Sequence, residues 1–252
     1  MAGTNRSLSS PAENAIPAVI LIDPQLGENI GMVARAMLNC GLTDLRLVRP
    51  RDGWPNDKAV SAASGADHVL ERTRLFSATE EAIADLSFVY AATARDRDMT
   101  KRVVTPEVCA QEVRDKGSTR CGILFGGEAK GLNNDDIALA DTILQVPLNP
   151  GFTSLNLSQA VLLAAYEWYK LGDDTPGEVL TMQASRPANK QELTGLFEHL
   201  ESSLDESDFF HVREKKPIMA RNLRNLLQRA APTEQEVRTL RGVIKSLFNY
   251  KG

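Results

Sequence analysis

Apolar positions in the first 170 residues fall into two alternating rhythms. Short apolar runs occur at 18–23 (AVILID), 45–50 (LRLVRP), 87–93 (SFVYAAT), 121–126 (CGILFG) and 142–148 (TILQVPL). Runs of this length predict strands buried on both faces. Between them, Ile30, Val33, Ala34, Met37 and Leu38 recur at helical spacing and stop at Gly41. Further helices are predicted around 56–70 and 106–116, and a helix over 156–171 closes the unit. This alternation predicts an α/β domain over 16–171, a mostly parallel sheet with helices on both faces.

The rhythm changes after 171. Residues 172–189 (GDDTPGEVLTMQASRPAN) have the composition of a linker. Three amphipathic stripes follow: Leu193, Leu196, Phe197, Leu200 and Leu204; Met219, Leu223, Leu226 and Leu227; and Val237, Leu240, Val243, Ile244, Leu247 and Phe248. Thr233 and Glu236 precede the third in capping-box spacing. A small all-helical C-terminal module over 190–252 is expected, too small for a robust core of its own. Residues 1–15 lack an apolar run and are expected to be a disordered tail.

Composition narrows the classes further. Three cysteines, far apart and odd in number, give neither a disulfide framework nor a zinc spacing, which points to a reducing, cytoplasmic setting. No run approaches the length of a membrane span. The net charge of -4 does not favour nucleic acid, but local basic patches decide that question. The three histidines are scattered, and neither a dinucleotide glycine fingerprint nor a P-loop is present. No metal is expected.

Three polar segments, each at the end of an expected strand, carry the candidate chemistry. DPQLGENIGMVAR (23–35) makes a tight entry to a helix, with Asn29 at its start and Arg35 one to two turns inside. LFGGEAKGL (124–132) places Glu128 in a glycine-rich turn. VPLNPGFTSLNLSQAV (146–161) crowds Thr153, Ser154, Asn156 and Ser158 at the mouth of an apolar helix. Each also has a plain reading: a capped loop with a surface arginine, an ordinary strand-to-helix turn, an over-capped helix. Their shared position favours a ligand site, because ligands bind open α/β sheets at the carboxyl ends of the strands.

In this order the three segments resemble the motifs of the SpoU/TrmH family of RNA ribose 2′-O-methyltransferases, within the SPOUT superfamily. AATAR (91–95) resembles a cofactor-side strand end of the same family, and the helical tail is similar to that of its TrmJ branch, which methylates the tRNA anticodon loop. The resemblance implies a deep C-terminal trefoil knot and S-adenosylmethionine (AdoMet) as cofactor. It implies a pocket of Ala92, Thr93, Ala94, Gly126, Val146, Thr153, Ser154 and Leu155. It also implies a homodimer whose active site is completed across the interface. Arg35 falls on the family's catalytic arginine. Asn29 would orient the loop or Arg35, Glu128 and Asn156 would fix the knot, and Ser154 would contact the ribose. The expected activity is a tRNA cytidine/uridine 2′-O-methyltransferase acting at position 32. A ribosomal RNA methyltransferase and a non-catalytic knotted RNA-binding protein are the alternatives. RNA contact is expected from Arg46, Arg49 and Arg51, and from Arg213, Lys215, Lys216, Arg221, Arg224 and Arg229; a charged run can equally be a solvated helix face.

Overall fold

The computed structural model describes residues 16–95, 99–179, 181–182 and 184–249. The tail expected over 1–15 lies outside the described residues. The described chain divides into two compact units, one ending at Asp174 and the other starting at Thr175.

The first unit is built on a sheet of seven strands: β1 (Ala18–Ile22), β2 (Leu45–Val48), β3 (Arg74–Phe76), β4 (Phe88–Ala92), β5 (Arg102–Val104), β6 (Cys121–Gly126) and β7 (Thr142–Leu144). Their order is β3-β2-β1-β6-β4-β7-β5, and every pairing is parallel. The helices are α1 (Gly27–Asn39), α2 (Asp57–Ala63), α3 (Asp67–Glu71), α4 (Thr79–Ile83), α5 (Pro106–Asp115), α6 (Asn134–Ala138) and α7 (Leu157–Lys170). The inner strand β1 is buried throughout. Val19 and Leu21 join one core with α1, α2, α5 and α7, while Ala18, Ile20 and Ile22 join a second with α4 and α6. Side chains alternate across a strand, so a strand covered on both faces must be apolar at every position.

The structure adds two strands that the apolar runs did not predict. β3 and β5 are the two edges of the sheet, each three residues long and partly exposed (Arg74, Leu75, Arg102, Val103). An edge strand needs no continuous apolar run. Likewise α4 and α6, at five residues each, are too short to show a helical period. The helix expected around 56–70 is two helices, broken where Ser64 and Gly65 adopt positive φ. β7 ends at Leu144, and Pro147, which has no N–H to donate, lies in the loop beyond. That loop runs on to Asn156, the N-cap of α7.

The second unit contains α8 (Lys190–Glu206), α9 (Lys216–Arg229) and α10 (Glu234–Phe248). Its core is small: Leu193, Leu196, Phe197 and Val237, with Leu227, Leu240 and Ile244 packed against them. α9 buries no residue fully and is tied to α8 by a bidentate pair, Arg224 to Glu201 at 2.5 and 2.7 Å. Arg213 and Lys216 pair with Asp205 of α8. Lys215, Arg221 and Arg229 are exposed, with no ion pair to a described residue.

Arg46 corrects one expectation. Its side chain is fully buried on β2, so it is not available to RNA. The guanidinium donates to Asp44 Oδ2 at 2.8 Å, Asp85 Oδ1 at 2.5 Å and the Ala82 carbonyl at 2.5 Å. Burial alone would push the Asp44 and Asp85 carboxyls up, but the hydrogen bonds and charge of Arg46 outweigh it and hold both below the usual carboxylate range. Arg46→Met takes the buried cation from two carboxylates that keep only Arg74 and Arg120, and is expected to lower stability by about 2 kcal/mol at pH 7 in urea unfolding. A depressed folded pKa stabilises above the unfolded value, near 3.9, and that contribution is lost as pH falls through the folded value. The difference between wild type and variant should therefore shrink below about pH 4; a difference that holds constant there would remove the ion pairs from the account.

Candidate active site

Three loops meet at the carboxyl edge of the sheet, and a chain of side-chain hydrogen bonds joins them. Asn29, buried at the start of α1, donates from Nδ2 to Glu128 Oε1 at 2.6 Å. Asn156 donates from Nδ2 to Asn29 Oδ1 at 3.1 Å. Asn156 Oδ1 accepts from the Ser158 amide at 2.9 Å and the Ser158 hydroxyl at 2.7 Å. The chain has one polarity. Because Asn156 Oδ1 faces a backbone donor, its Nδ2 must donate to Asn29, whose own Nδ2 then faces a carboxylate that can only accept.

Glu128 also caps α1 from a distant segment. The N-cap of α1 is Leu26, which has no capping side chain. Glu128 instead accepts the Gln25 amide at 2.8 Å and the Leu26 amide at 3.3 Å. A carboxylate there also meets the positive end of the helix dipole. Burial alone would raise the Glu128 carboxyl, but the hydrogen bonds from Asn29, Gln25 and Leu26 outweigh it and set it below the ordinary range. Asn156 closes its own helix with a capping box to Gln159.

Beside this chain lies a cavity of about 400 Å³. Phe125, Leu144 and Leu157, all buried, are apolar parts of its lining. Ala92, Thr93 and Ala94 come from the end of β4, Gly126 from β6, and Val146, Thr153, Ser154 and Leu155 from the loop before α7. All eight residues proposed for a cofactor pocket thus line one cavity, together with Glu128. Backbone crowds it closely: a Cβ on Gly126 would meet Gly131 C and Leu132 N at 2.1 Å. Gly131 turns the chain back at φ +67°, a conformation that costs glycine little.

Arg95 and Lys130 also line the cavity and were not assigned from sequence. Both lie inside quoted segments, but a lone cation in a turn carries no spacing signal. Arg35 does not line the cavity of its own chain. It is exposed on the outer side of α1 with Met32, and has no hydrogen-bond or ion-pair partner among the described residues. Arg49 is half exposed at φ +48° and paired with Asp23 at 2.9 Å. No group of three or more metal-binding side chains occurs among the described residues. The site therefore offers an apolar slot, a polar backbone rim, three hydroxyls (Thr93, Thr153 and Ser154), two cations and the Glu128 carboxylate. That set can bind and orient a mid-sized ligand with an apolar ring and an anionic end.

Residues 17–166, which contain all of these segments, match the family described as SpoU rRNA methylase. The chain belongs to the SpoU methylase family. Residues 191–250 match the C-terminal domain of the tRNA methyltransferase TrmJ. The tRNA (cytidine/uridine-2′-O-)-methyltransferase TrmJ of Salmonella typhimurium is 32% identical over 91% of this chain and 95% of its own length. That coverage places the chain in the TrmJ branch. The crystal structure of TrmJ from Z. mobilis ZM4 is 51% identical, with a TM-score of 0.82 over 93% of this chain and 100% of that one. A more distant SpoU methyltransferase, AviRb of Streptomyces viridochromogenes, solved in complex with AdoMet, shares the fold at 19% identity. Its TM-score is 0.52, over 64% of this chain and 62% of that one.

Replacing Asn29 tests the hydrogen-bonded chain. Asn29→Ala leaves a carboxylate and an amide without their partner and should cost about 2 kcal/mol in urea unfolding. Asn29→Asp sets two carboxylates together, so the folded state takes up a proton the unfolded state does not. That variant should gain stability as pH falls from about 8 to about 5, where the wild type does not. Identical pH profiles would break the assignment.

Proposed function

We propose that the protein is an AdoMet-dependent tRNA ribose 2′-O-methyltransferase, acting as a cytoplasmic homodimer on the anticodon loop, at position 32. The observation that carries this reading is the hydrogen-bonded chain through Glu128, Asn29 and Asn156, which ties three distant segments together beside one cavity walled by two of them. The match of residues 191–250 supports tRNA over ribosomal RNA as substrate. Family membership supports a trefoil knot made by the segments that surround the cavity.

AdoMet supplies a methyl group already activated on a sulfonium. The chain must bind it, align the ribose and manage one proton. Phe125, Leu144 and Leu157 offer apolar surface to an adenine ring; Thr153, Ser154 and the backbone of 126–132 offer its polar contacts.

A guanidinium is protonated throughout the physiological range, so Arg35 serves as a cation rather than a base. It clamps a phosphate of the RNA bidentately and steadies the negative charge that grows on the 2′-oxygen. The proton leaves to a phosphate oxygen or to water. Arg35 lies off its own chain's cavity, which suits a site completed by a second copy. Leu162, Tyr166 and Tyr169 form an exposed stripe on α7, and Met32 is exposed beside Arg35 on α1. An apolar face of this kind supports the dimer.

Methylation assays on separate tRNA and ribosomal RNA pools, with mass-spectrometric mapping of 2′-O-methyl nucleotides, test the substrate. Transfer to ribosomal RNA alone would replace this reading. Arg35→Ala should lower kcat by about 100-fold or more and leave AdoMet affinity unchanged by calorimetry. Ser154→Trp, which puts a bulky ring into the cavity from an exposed loop, should abolish AdoMet binding. Mixing the two variants should restore part of the activity, because one site of each mixed dimer is intact. No restoration in a demonstrated heterodimer would place the whole site within one chain.

A further inference from the structure

The opposite edge of the sheet holds a second cavity, of about 480 Å³, at the amino ends of the strands. It is lined by Thr43 and Asp44 before β2, Arg72 and Arg74 at β3, and Ser118 and Arg120 before β6. Behind them Arg46 and Arg74 sit side by side in register on β2 and β3. Like charges opposed across strands repel. Asp44 and Asp85 hold them together, each shared among three guanidiniums. Arg74 Nη2 donates to Asp44 Oδ1 at 2.9 Å, Arg120 Nη1 lies 2.7 Å from Asp85 Oδ2, and Arg46 reaches both carboxylates.

Charge and donors are both in excess. Three guanidiniums face two carboxylates. Each guanidinium has five N–H donors, whereas the two carboxylates together accept about eight hydrogen bonds. The side chains of Arg74 and Arg120 remain 45% and 53% exposed, so their unused N–H edges are open to a ligand. The hydroxyls of Thr43 and Ser118 add neutral donors. Fixed arginines with hydroxyls in a concave site match the three or four acceptor oxygens of a phosphoryl group. A carboxylate-lined cavity would not, but here each carboxylate already holds guanidiniums in place.

We propose that this cavity is an anion site for a phosphoryl group, separate from the methyl-transfer site and lying across the sheet from it. Arg74 and Arg120 are its ligands, Thr43 and Ser118 its hydroxyl donors, and Arg46 the buried cation that positions Asp44 and Asp85. The phosphoryl group belongs either to a small free phosphate compound or to the RNA backbone, and the two sources separate experimentally. The inference does not depend on the methyltransferase reading.

Calorimetry of the full chain with pyrophosphate, in chloride buffer, is the direct test. Saturable binding below about 1 mM is expected. Arg74→Gln with Arg120→Gln should weaken it about tenfold or more, as loss of charge-assisted hydrogen bonds does. Because those arginines also hold ion pairs, Thr43→Val with Ser118→Ala serves as the second variant. It leaves the ion pairs in place and should weaken binding severalfold with an unchanged melting temperature. Ser154→Trp, on the exposed loop of the other site, should leave pyrophosphate binding intact. In a parallel arm, competition of pyrophosphate with tRNA assigns the phosphoryl group to RNA, and independent binding assigns it to a small ligand; either outcome supports the site. Absence of saturable pyrophosphate binding, or binding that both paired variants leave unchanged, overturns the proposal.

Discussion

One buried amide organises the carboxyl edge of this sheet. Asn29 reaches Glu128, 99 residues away, and receives Asn156, 127 residues away. A polar group in that place costs free energy until both partners arrive. The three loops are therefore coupled: α1 has no cap without Glu128, and Asn29 has no donor to accept from without Asn156. The cavity walls at Gly126 and at Thr153 and Ser154 belong to two of these loops. A ligand that fits the walls reads a geometry set by the amide.

The parts legible in the sequence were those where one element must satisfy one rule. β1, β4 and β6 are covered on both faces and showed as unbroken apolar runs, and β2 as a run broken only by Arg46. α1, α5 and α7 are long enough to repeat their period. The edge strands β3 and β5 answer to no such rule. The polar segments were visible as unusual clusters, but not the bond from Asn29 to Glu128, since local spacing carries nothing about a partner 99 residues distant. Arg46 misled for the same reason. A charged residue in a strand reads as surface unless Asp44 and Asp85 are known to enclose it.

Arginine illustrates how little residue type alone decides. Arg46 is a structural cation inside the protein. Arg224 is half occupied, tying α9 to α8 while keeping 48% exposure. Arg35 and Arg221 have no ion pair among the described residues and remain available to an outside anion. A chain of net charge -4 can therefore address a polyanion only through selected positions, and acids such as Asp44, Asp85 and Glu201 withdraw other arginines from competition.

Helix geometry sets a limit on what α1 can do alone. Positions 29 and 35 are separated by about 240° of rotation and about 9 Å of rise. The first looks inward to Glu128 and Asn156, and about 200° around from it Gly31 lets α2 come so near that a Cβ would meet Ala59 O at 2.1 Å. With that azimuth pinned, the second is aimed away from its own loops whatever its rotamer. A single-residue insertion between them would turn everything beyond it through roughly 100°, carrying Val33, Ala34 and Met37 out of the core along with the guanidinium. The buried stripe of α1 and the outward aim of Arg35 are thus one constraint.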